Sequence, residues 1–224
     1  MESIPEIIEQ IAHCIEFGKI NTVSPFPPDM KGQPGADELT RQAIGEGISP
    51  ELILHEGMVK GMERVGKKFS ENKVFVPQML MSAKAMTTAM QHIKPFFLTG
   101  EVQRKGTIIM GTVTGDLHDI GKNLVCMMIE GAGWEVIDLG VDVNAAKFIS
   151  KVKEKPGSAV GLSALLTTTM VNMADIVREV KQSVPGTRII IGGAPVNDEF
   201  RKQIGADFYS ADPRGAVEYL NKSA

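Results

Sequence analysis

The stretch TIIMGTVTGDLHDIGKN, residues 107–123, passes from an apolar run through a polar loop into a segment of helical character. Residues 107–113 are mostly β-branched or apolar, which is typical of a buried strand. The loop that follows places one histidine between two aspartates. A strand that leads directly into a helix is the repeating unit of a parallel α/β sheet. The stretch therefore predicts an α/β domain with a titratable ring at the end of its first strand.

The same unit recurs to the end of the chain. Short β-branched runs alternate with segments of helical pattern. The runs lie at 107–113, 135–139, 158–163 and 187–191, the helical segments at about 119–132, 144–154, 169–184 and 197–203, and a last strand near 207–209 precedes a helix from Pro213. This order predicts a five-stranded, parallel, doubly wound sheet with helices on both faces.

The residues before the sheet predict helices only. Isoleucines recur along the first helix at the spacing of one helical face. They are Ile4, Ile7, Ile8, Ile11 and Ile15. The proline- and glycine-rich residues 21–38 are typical of a mobile connecting loop, and a short helix is expected at about 37–46.

Two longer helices follow the loop. Ser49 has the position of an N-cap and Pro50 that of a first helical residue, which predicts a helix at about 50–70. The last one is expected from Pro77 to about Phe97. We therefore expect a methionine-rich helical domain over 1–97, a linker over 98–104 and the α/β domain over 105–224.

Composition narrows the class of protein. The chain has 224 residues, of which 43% are hydrophobic, so it can bury a core in each domain. Its net charge is −3 and it has no stripe of basic residues, which argues against binding of nucleic acid. No window is long and apolar enough for a membrane span, and the N-terminus lacks a secretory pattern, so we expect no membrane association and a cytoplasmic location. Cys14 and Cys126 are the only cysteines, which argues against a disulfide framework.

His118 follows the first strand, at the sheet edge where open α/β domains bind ligands. A histidine with a carboxylate two residues away can bind a metal through one ring nitrogen and donate the other N–H to the carboxylate. The alternative is that Asp116 or Asp119 caps the helix and His118 is an exposed loop residue. A flavodoxin-like receiver domain also has an acidic first loop. A phosphate site is disfavoured, because neither GxGxxG nor GxxxxGK[ST] is present.

The remaining histidines do not complete a metal site. His13, His55 and His92 lie on segments predicted as helices of the first domain, and no HExxH or paired Cys/His spacing is present. One histidine cannot bind zinc by itself. Any metal at His118 should therefore arrive already bound in a cofactor.

Three sequence elements resemble the signature of the cobalamin-binding domains of corrinoid proteins and methionine synthase. That signature is DxHxxG, then SxL, then GG, and here it reads DLHDIG at 116–121, SAL at 163–165 and GG at 192–193. Each element lies at the end of a predicted strand or just after it. The segment FVPQMLMSAKAM, residues 75–86, resembles the helical domain that precedes the cobalamin domain in methyl-transferring members. The resemblance covers most of the chain, and the proline-rich residues 24–36 depart from it.

The resemblance implies a helical-bundle cap domain followed by a Rossmann- or flavodoxin-like cobalamin-binding domain. It implies that His118 replaces the cofactor's own dimethylbenzimidazole as lower axial ligand of cobalt, with Asp116 hydrogen-bonded behind it. Thr169 stands where methionine synthase has a serine, and its hydroxyl could donate to Asp116. Asp119 would start the helix at the edge of the cofactor site, and Gly121 would let that helix approach the corrin.

The other two elements and the methionines have implied roles of their own. Ser163 and Leu165 would line the slot for the displaced nucleotide tail. Gly192 and Gly193 would leave room for that tail, since glycine permits close backbone approach. Candidates for a cap over the upper face of the corrin are Met79 and Met86, together with Met90 and Phe75. The alternative is that this methionine stripe is the core of the helical domain.

The function implied by the resemblance is that of a corrinoid carrier protein. It would accept a methyl group on cobalt(I) from a donor-specific methyltransferase and pass it from methyl-cobalt(III) to an acceptor methyltransferase acting on tetrahydrofolate or a thiol. A reductive activase is implied as a further partner, and the cofactor would be methylcobalamin or a related corrinoid. The chain would then be one subunit of an enzyme system. The cobalamin subunit of a radical mutase and a cobalamin-dependent sensor remain alternatives, and the methyl donor stays open.

Overall fold

The computed structural model describes residues 5–222, except for the side chain of Leu98. Ile4, expected on the first helix, lies outside the described residues. The chain divides into two compact units. A helical unit extends to Arg104 and includes Gly131–Gly133, and an α/β unit comprises Lys105–Glu130 and the residues from Trp134 onward.

The helical unit contains four main helices. They are α1 (Glu6–Phe17), α2 (Ala36–Gly45), α3 and α4 (Val76–Thr99). Helix α3 consists of an α-helical turn Pro50–Leu52, a π-helical segment Ile53–Val59 and an α-helical segment Lys60–Ser70. Ser49 has the N-cap position and Pro50 is the first helical residue, as predicted, although the Ser49 side chain makes no capping hydrogen bond.

The loop between α1 and α2, predicted to be mobile, is held by hydrogen bonds of a buried lysine and a serine. Lys19 is fully buried, and its Nζ donates to the Ser24 carbonyl oxygen at 3.0 Å. The Ser24 hydroxyl in turn donates to the carbonyl oxygen of Phe26 at 3.0 Å. A 3-10 turn at Pro28–Met30 and the start of α2 at Ala36 shorten the irregular stretch further. Buried polar contacts thus fix a segment whose composition alone indicates a connector.

The core of the helical unit forms where α1 meets α3. The predicted apolar face of α1 is buried, with Ile8, Ile11 and Ile15 fully inaccessible. Gly61 of α3 allows close approach, because a Cβ there would lie 2.6 Å from the carbonyl oxygen of Ala12. Among residues 5–222, no helix has both the length and the apolar character needed to cross a membrane.

The α/β unit contains five parallel strands, which confirms the predicted sheet. The strands are β1 (Thr107–Thr112), β2 (Glu135–Asp138), β3 (Ala159–Ser163), β4 (Ile189–Gly192) and β5 (Phe208–Ser210). Their spatial order is β2-β1-β3-β4-β5. The helices are α5 (Ile120–Gly131), α6 (Ala145–Glu154), α7 (Thr167–Met170), α8 (Asn172–Ser183), α9 (Asp198–Ile204) and α10 (Pro213–Lys222).

The strand order decides where a site can form. The chain reverses its direction of winding between β1 and β3, so the loops that follow these two strands diverge and leave a crevice at the carboxyl edge. Register places Thr112 beside Ser163, and Ser163 beside Gly192. SAL at 163–165 and GG at 192–193 therefore begin at paired positions on one edge of the sheet, and DLHDIG begins four residues after Thr112 on the same edge.

We predict that replacing Phe148 by alanine destabilises the α/β unit. Phe148 of α6 is fully buried, and its ring occupies the space beside Gly111 of β1, where an added Cβ would lie 2.7 Å from ring atom Cζ. Loss of a fully buried phenylalanine ring costs about 3–5 kcal/mol of unfolding free energy. Urea unfolding followed by circular dichroism measures this loss of unfolding free energy. Phe75→Ala removes the same ring from a position that is 66% exposed, and should cost less than about 0.5 kcal/mol. Equal losses in the two variants would contradict this account of the core.

Candidate functional site

The carboxylate of Asp116 is the centre of the site. The residue is fully buried in the loop after β1. Its Oδ1 accepts from the main-chain N–H of His118 at 3.0 Å and from His118 Nδ1 at 2.8 Å. Its Oδ2 accepts from the Thr169 hydroxyl at 2.6 Å and from the amides of Leu165 and Leu166 at 2.8 and 3.4 Å. The structure thus joins the loop after β1 to the loop after β3 and to helix α7.

These contacts determine the charge of Asp116. Burial alone raises the pKa of a carboxyl group, because it disfavours the ionised form. Here the hydrogen bonds from Thr169, from the main-chain N–H groups of His118 and Leu165 and from the His118 ring outweigh burial and hold the pKa of Asp116 well below its usual range. Asp116 is therefore ionised at neutral pH.

The ring of His118 is presented toward solvent by this carboxylate. Since an ionised carboxylate only accepts hydrogen bonds, the contact with Asp116 Oδ1 assigns a proton to His118 Nδ1. The neutral ring then keeps its lone pair on Nε2. The His118 side chain is 49% exposed, although its partner is completely buried. This is the arrangement of a metal-binding histidine held by a carboxylate behind it.

The surface around His118 is apolar. Several large aliphatic side chains of the loops after β1 and β3 and of the start of α8 are exposed there. They are Leu117, Ile120, Leu165, Leu166 and Val171. Their exposure as a group is unusual, because removing large aliphatic side chains from water lowers the free energy of the protein. An apolar surface with one metal-binding nitrogen at its centre fits a flat, largely apolar macrocycle that carries its own metal ion.

Ser163 and the glycine pair lie along the same edge. Ser163 is the last residue of β3, and its carbonyl oxygen accepts from Val113 N at 3.0 Å. Gly193 has a φ of +123°, and a Cβ there would lie 1.9 Å from the carbonyl oxygen of Ala164. The protein's own backbone therefore requires glycine at 193, a reason that the sequence did not reveal. The role of the glycine pair beside a nucleotide tail stays a prediction.

The two helix-start residues of the motif differ in their contacts. Asp119 directly precedes α5, its carbonyl oxygen accepts from Asn123 N at 2.7 Å, and its Oδ2 accepts from Asn123 Nδ2 at 3.0 Å. Gly121 lies on the exposed side of α5, and an added Cβ would meet no protein atom within 4 Å. Protein packing therefore does not require glycine at 121, and its predicted role toward the corrin stays a prediction.

The predicted upper-face residues lie in the helical unit. Met79 is fully buried and Met86 is 3% exposed, so both contribute to the core of that unit. Met90 is half-buried, and Phe75 at the start of α4 is 66% exposed. Their role over a corrin stays a prediction.

Sequence reasoning missed the supports of the histidine loop. Asp142, with a φ of +52°, accepts from Gly115 N at 2.8 Å and donates its own N–H to the Asp116 carbonyl oxygen at 3.1 Å. Lys122 is buried and forms an ion pair with Asp138. The sequence did contain a signal for the Lys122–Asp138 pair. The helix dipole disfavours a cation in the first turn of a helix, so a lysine at that position indicates a specific partner. Within residues 5–222, no cluster of three or more His, Cys, Asp or Glu side chains could bind a metal ion.

Comparison with known proteins identifies the family. A family model described as a B12 binding domain matches residues 106–218, and a second B12 binding domain model matches residues 33–94. The trimethylamine corrinoid protein of Methanosarcina barkeri is 39% identical over 186 residues, which cover 81% of this chain and 86% of that protein. This chain belongs to the B12-binding corrinoid proteins.

Other corrinoid proteins and two solved structures agree with this assignment. A corrinoid protein of Desulfitobacterium hafniense is 37% identical over 83% of this chain and 88% of its own length. A crystal structure of a cobalamin-binding protein from the same species matches with a TM-score of 0.75 and 27% identity, over 97% of this chain and 98% of that one. The methanol:cobalamin methyltransferase complex of Methanosarcina barkeri matches with a TM-score of 0.81 and 27% identity, over 99% of this chain and 80% of that one.

We predict that Asp116 makes the stability of this corrinoid protein sensitive to acid. Because its folded pKa is lowered, the unfolded state binds the proton more tightly, and stability falls as the pH drops below the unfolded value of about 4. In Asp116→Asn this contribution is missing at every pH. Urea unfolding of the two cofactor-free proteins should therefore give a difference in free energy that is constant near neutral pH and shrinks below about pH 4. A difference that does not change with pH would contradict the ionised, hydrogen-bonded Asp116.

Proposed function

We propose that this corrinoid protein is the methyl carrier of a multi-component methyltransferase system. The observation that carries the proposal is the buried Asp116 with its half-exposed His118 partner, at the crevice between the loops after β1 and β3. Relatives that are 37–39% identical over most of the chain are named as trimethylamine corrinoid proteins, which supports it further. The cofactor is cobalamin or a related corrinoid.

The described residues suggest how such a cofactor would be held. His118 Nε2 would hold the cobalt, and the exposed Leu117 and Ile120 would lie against the macrocycle. Ser163, Leu165 and the glycine pair 192–193 would lie beside the displaced nucleotide tail. When bound, the corrinoid supplies a cobalt centre that takes up and releases a methyl group.

The protein's own residues determine which nitrogen of His118 carries the proton and how the His118 ring is oriented. Asp116 keeps the proton of His118 on Nδ1, so that Nε2 is available as a ligand. The same carboxylate would keep the ring in one orientation whether or not Nε2 holds a cofactor. Thr169 and the amides after β3 keep the carboxylate in place throughout. The Asp116–His118 pair would thus present one unprotonated ring nitrogen to the cofactor.

The partners follow from the carrier role. The matched methanol:cobalamin methyltransferase complex supports a methyltransferase as partner. We propose that one methyltransferase supplies the methyl group and that a second one passes it to tetrahydrofolate or a thiol. A reductive activase would restore the carrier after accidental oxidation. The identity of the donor is a property of the first partner.

The central prediction concerns His118→Ala. Reconstituted with cobalamin and reduced to the cob(II) state, the wild-type protein should show the superhyperfine splitting of a histidine nitrogen in its EPR spectrum. The variant should lose this splitting, because alanine offers no ligand. His55→Ala, which changes a histidine of the helical unit, should retain it. Unchanged splitting in His118→Ala would overturn the assignment of the ligand.

The carrier function is tested by a panel of donor enzymes. The loaded, reduced protein should be methylated by a methyltransferase for one donor class, such as a methylamine, methanol, a betaine or a methoxylated aromatic compound. The spectrum of the bound corrinoid reports the transfer. His118→Ala should slow methylation of the bound corrinoid by about 10-fold or more, as is usual when the environment of a metal is disturbed. Preference for adenosylcobalamin over methylcobalamin, with no methylation by any donor enzyme, would favour the radical mutase alternative.

A further inference from the structure

A closed circuit of hydrogen bonds passes through the peptide of His118. It is separate from the contacts of the Asp116 carboxylate, and it lies on the side of His118 that leads into α5. Six hydrogen bonds and the covalent link from His118 to Asp119 close it. Its members are His118, Thr112, Gly140, Asp138, Lys122, Asn123 and Asp119.

The first half of the circuit joins the histidine peptide to the neighbouring strand. The fully buried Thr112 of β1 donates its hydroxyl to the His118 carbonyl oxygen at 3.0 Å and its N–H to the Gly140 carbonyl oxygen at 3.0 Å. The N–H of Gly140 donates to Oδ1 of Asp138, the last residue of β2, at 2.9 Å. The main chain at His118 is thus connected to the carboxyl end of β2.

The second half returns through α5. Asp138 Oδ2 accepts from Lys122 Nζ, and the same Nζ donates to Asn123 Oδ1 at 2.7 Å. Asn123 Nδ2 then donates to Asp119 Oδ2 at 3.0 Å, and Asp119 is the residue next to His118. Lys122 is the single formal cation of the circuit, and it joins the carboxylate of β2 to the start of α5.

The position of Lys122 is costly in two ways. It lies in the first turn of α5, where the helix dipole disfavours a positive charge. Its side chain is only 1% exposed, so it also loses its hydration, whereas Asp138 remains 38% exposed. An ion pair whose cation has lost its hydration in this way contributes little net stability compared with an apolar side chain of similar volume. Stability alone therefore gives no reason for a lysine at this position.

We propose that Lys122 is a positioning residue for His118. By joining Asp138 to Asn123, it holds Asp119 and the His118 peptide at a fixed distance from the sheet, while the Asp116 carboxylate holds the ring. The two supports act on different atoms of the histidine: Asp116 Oδ1 accepts from Nδ1 of the ring and from the His118 N–H, whereas the circuit holds the His118 carbonyl oxygen through Thr112. The Nε2 atom that would bind the cobalt is then carried by a backbone with a fixed position. This inference rests on the proposed function, since it concerns the histidine that would bind the corrinoid.

The test compares Lys122→Met with Lys181→Met. Methionine keeps the length and the apolar stem of lysine at 122 and removes its three donors. Lys181 also bonds a carboxylate and a carbonyl oxygen, those of Asp207 and Gly205, so it is a matched control in the same unit. In the cofactor-free protein, the His118 and Asn123 amides should exchange hydrogen about 10-fold faster in Lys122→Met than in wild type, as for loss of a hydrogen bond to a charged group. Lys181→Met should match wild type at both amides.

The loaded protein provides the second readout. At saturating cobalamin, the share of the cob(II) form that shows histidine-nitrogen splitting should fall in Lys122→Met, and cobalamin should bind about 10-fold more weakly. Both should be unchanged in Lys181→Met. Lower thermal stability with an unchanged share of histidine ligation would overturn the proposal, because a purely structural lysine would give that result.

A second variant keeps the test informative if Lys122→Met does not fold. Asn123→Leu leaves the Lys122–Asp138 ion pair intact and removes both side-chain bonds of Asn123, the one from Lys122 Nζ and the one to Asp119 Oδ2. It should therefore shift amide exchange and histidine ligation in the same direction. Wild-type exchange in this variant would overturn the circuit. The exchange measurement needs no cofactor, so it decides on the circuit even if His118→Ala shows that histidine is not the ligand. Failure of the circuit and failure of the proposed function are therefore distinguishable.

Discussion

The site of this corrinoid protein depends on one buried negative charge. Asp116 is completely excluded from solvent, and it stays ionised because five donors from the loop after β1, the loop after β3 and helix α7 converge on it. A buried carboxylate without such donors would take up a proton. It would then no longer keep the proton of His118 on Nδ1, and the lone pair on Nε2 would not be assured. The orientation of the histidine is thus a consequence of how the sheet brings three segments together.

Local patterns in the sequence predicted the elements well and their contacts less well. The central strands β1, β3 and β4 were readable because they are buried on both faces and appear as continuous β-branched runs, as at 107–113. The helices before them were readable from the spacing of isoleucines and methionines. Thr169 lies 53 residues from Asp116, and its approach depends on strand order and register, which no local pattern states. Its role was reached through resemblance to a family and not from periodicity.

Burial of polar groups was the main feature that the sequence did not reveal. Lys19 and Lys122 are both buried, although lysine usually marks a solvated surface. Lys19 anchors a loop whose composition indicated mobility, and Lys122 anchors the start of α5. In the same way, Gly193 reads as space for a ligand, whereas the neighbouring carbonyl oxygen of Ala164 already requires a glycine. In each case the decisive partner is distant in sequence or is part of the backbone.

The order of these partners along the chain has a consequence for synthesis of the protein. His118 and Asp116 leave the ribosome well before Leu165, Leu166 and Thr169, whose donors keep the carboxylate charged. Domains generally form from the N-terminus during translation. A nascent chain that ends before β3 therefore carries its histidine without the three donors from Leu165, Leu166 and Thr169 that keep the Asp116 carboxylate ionised. The charge that orients His118 is complete only once the loop after β3 and helix α7 have been made.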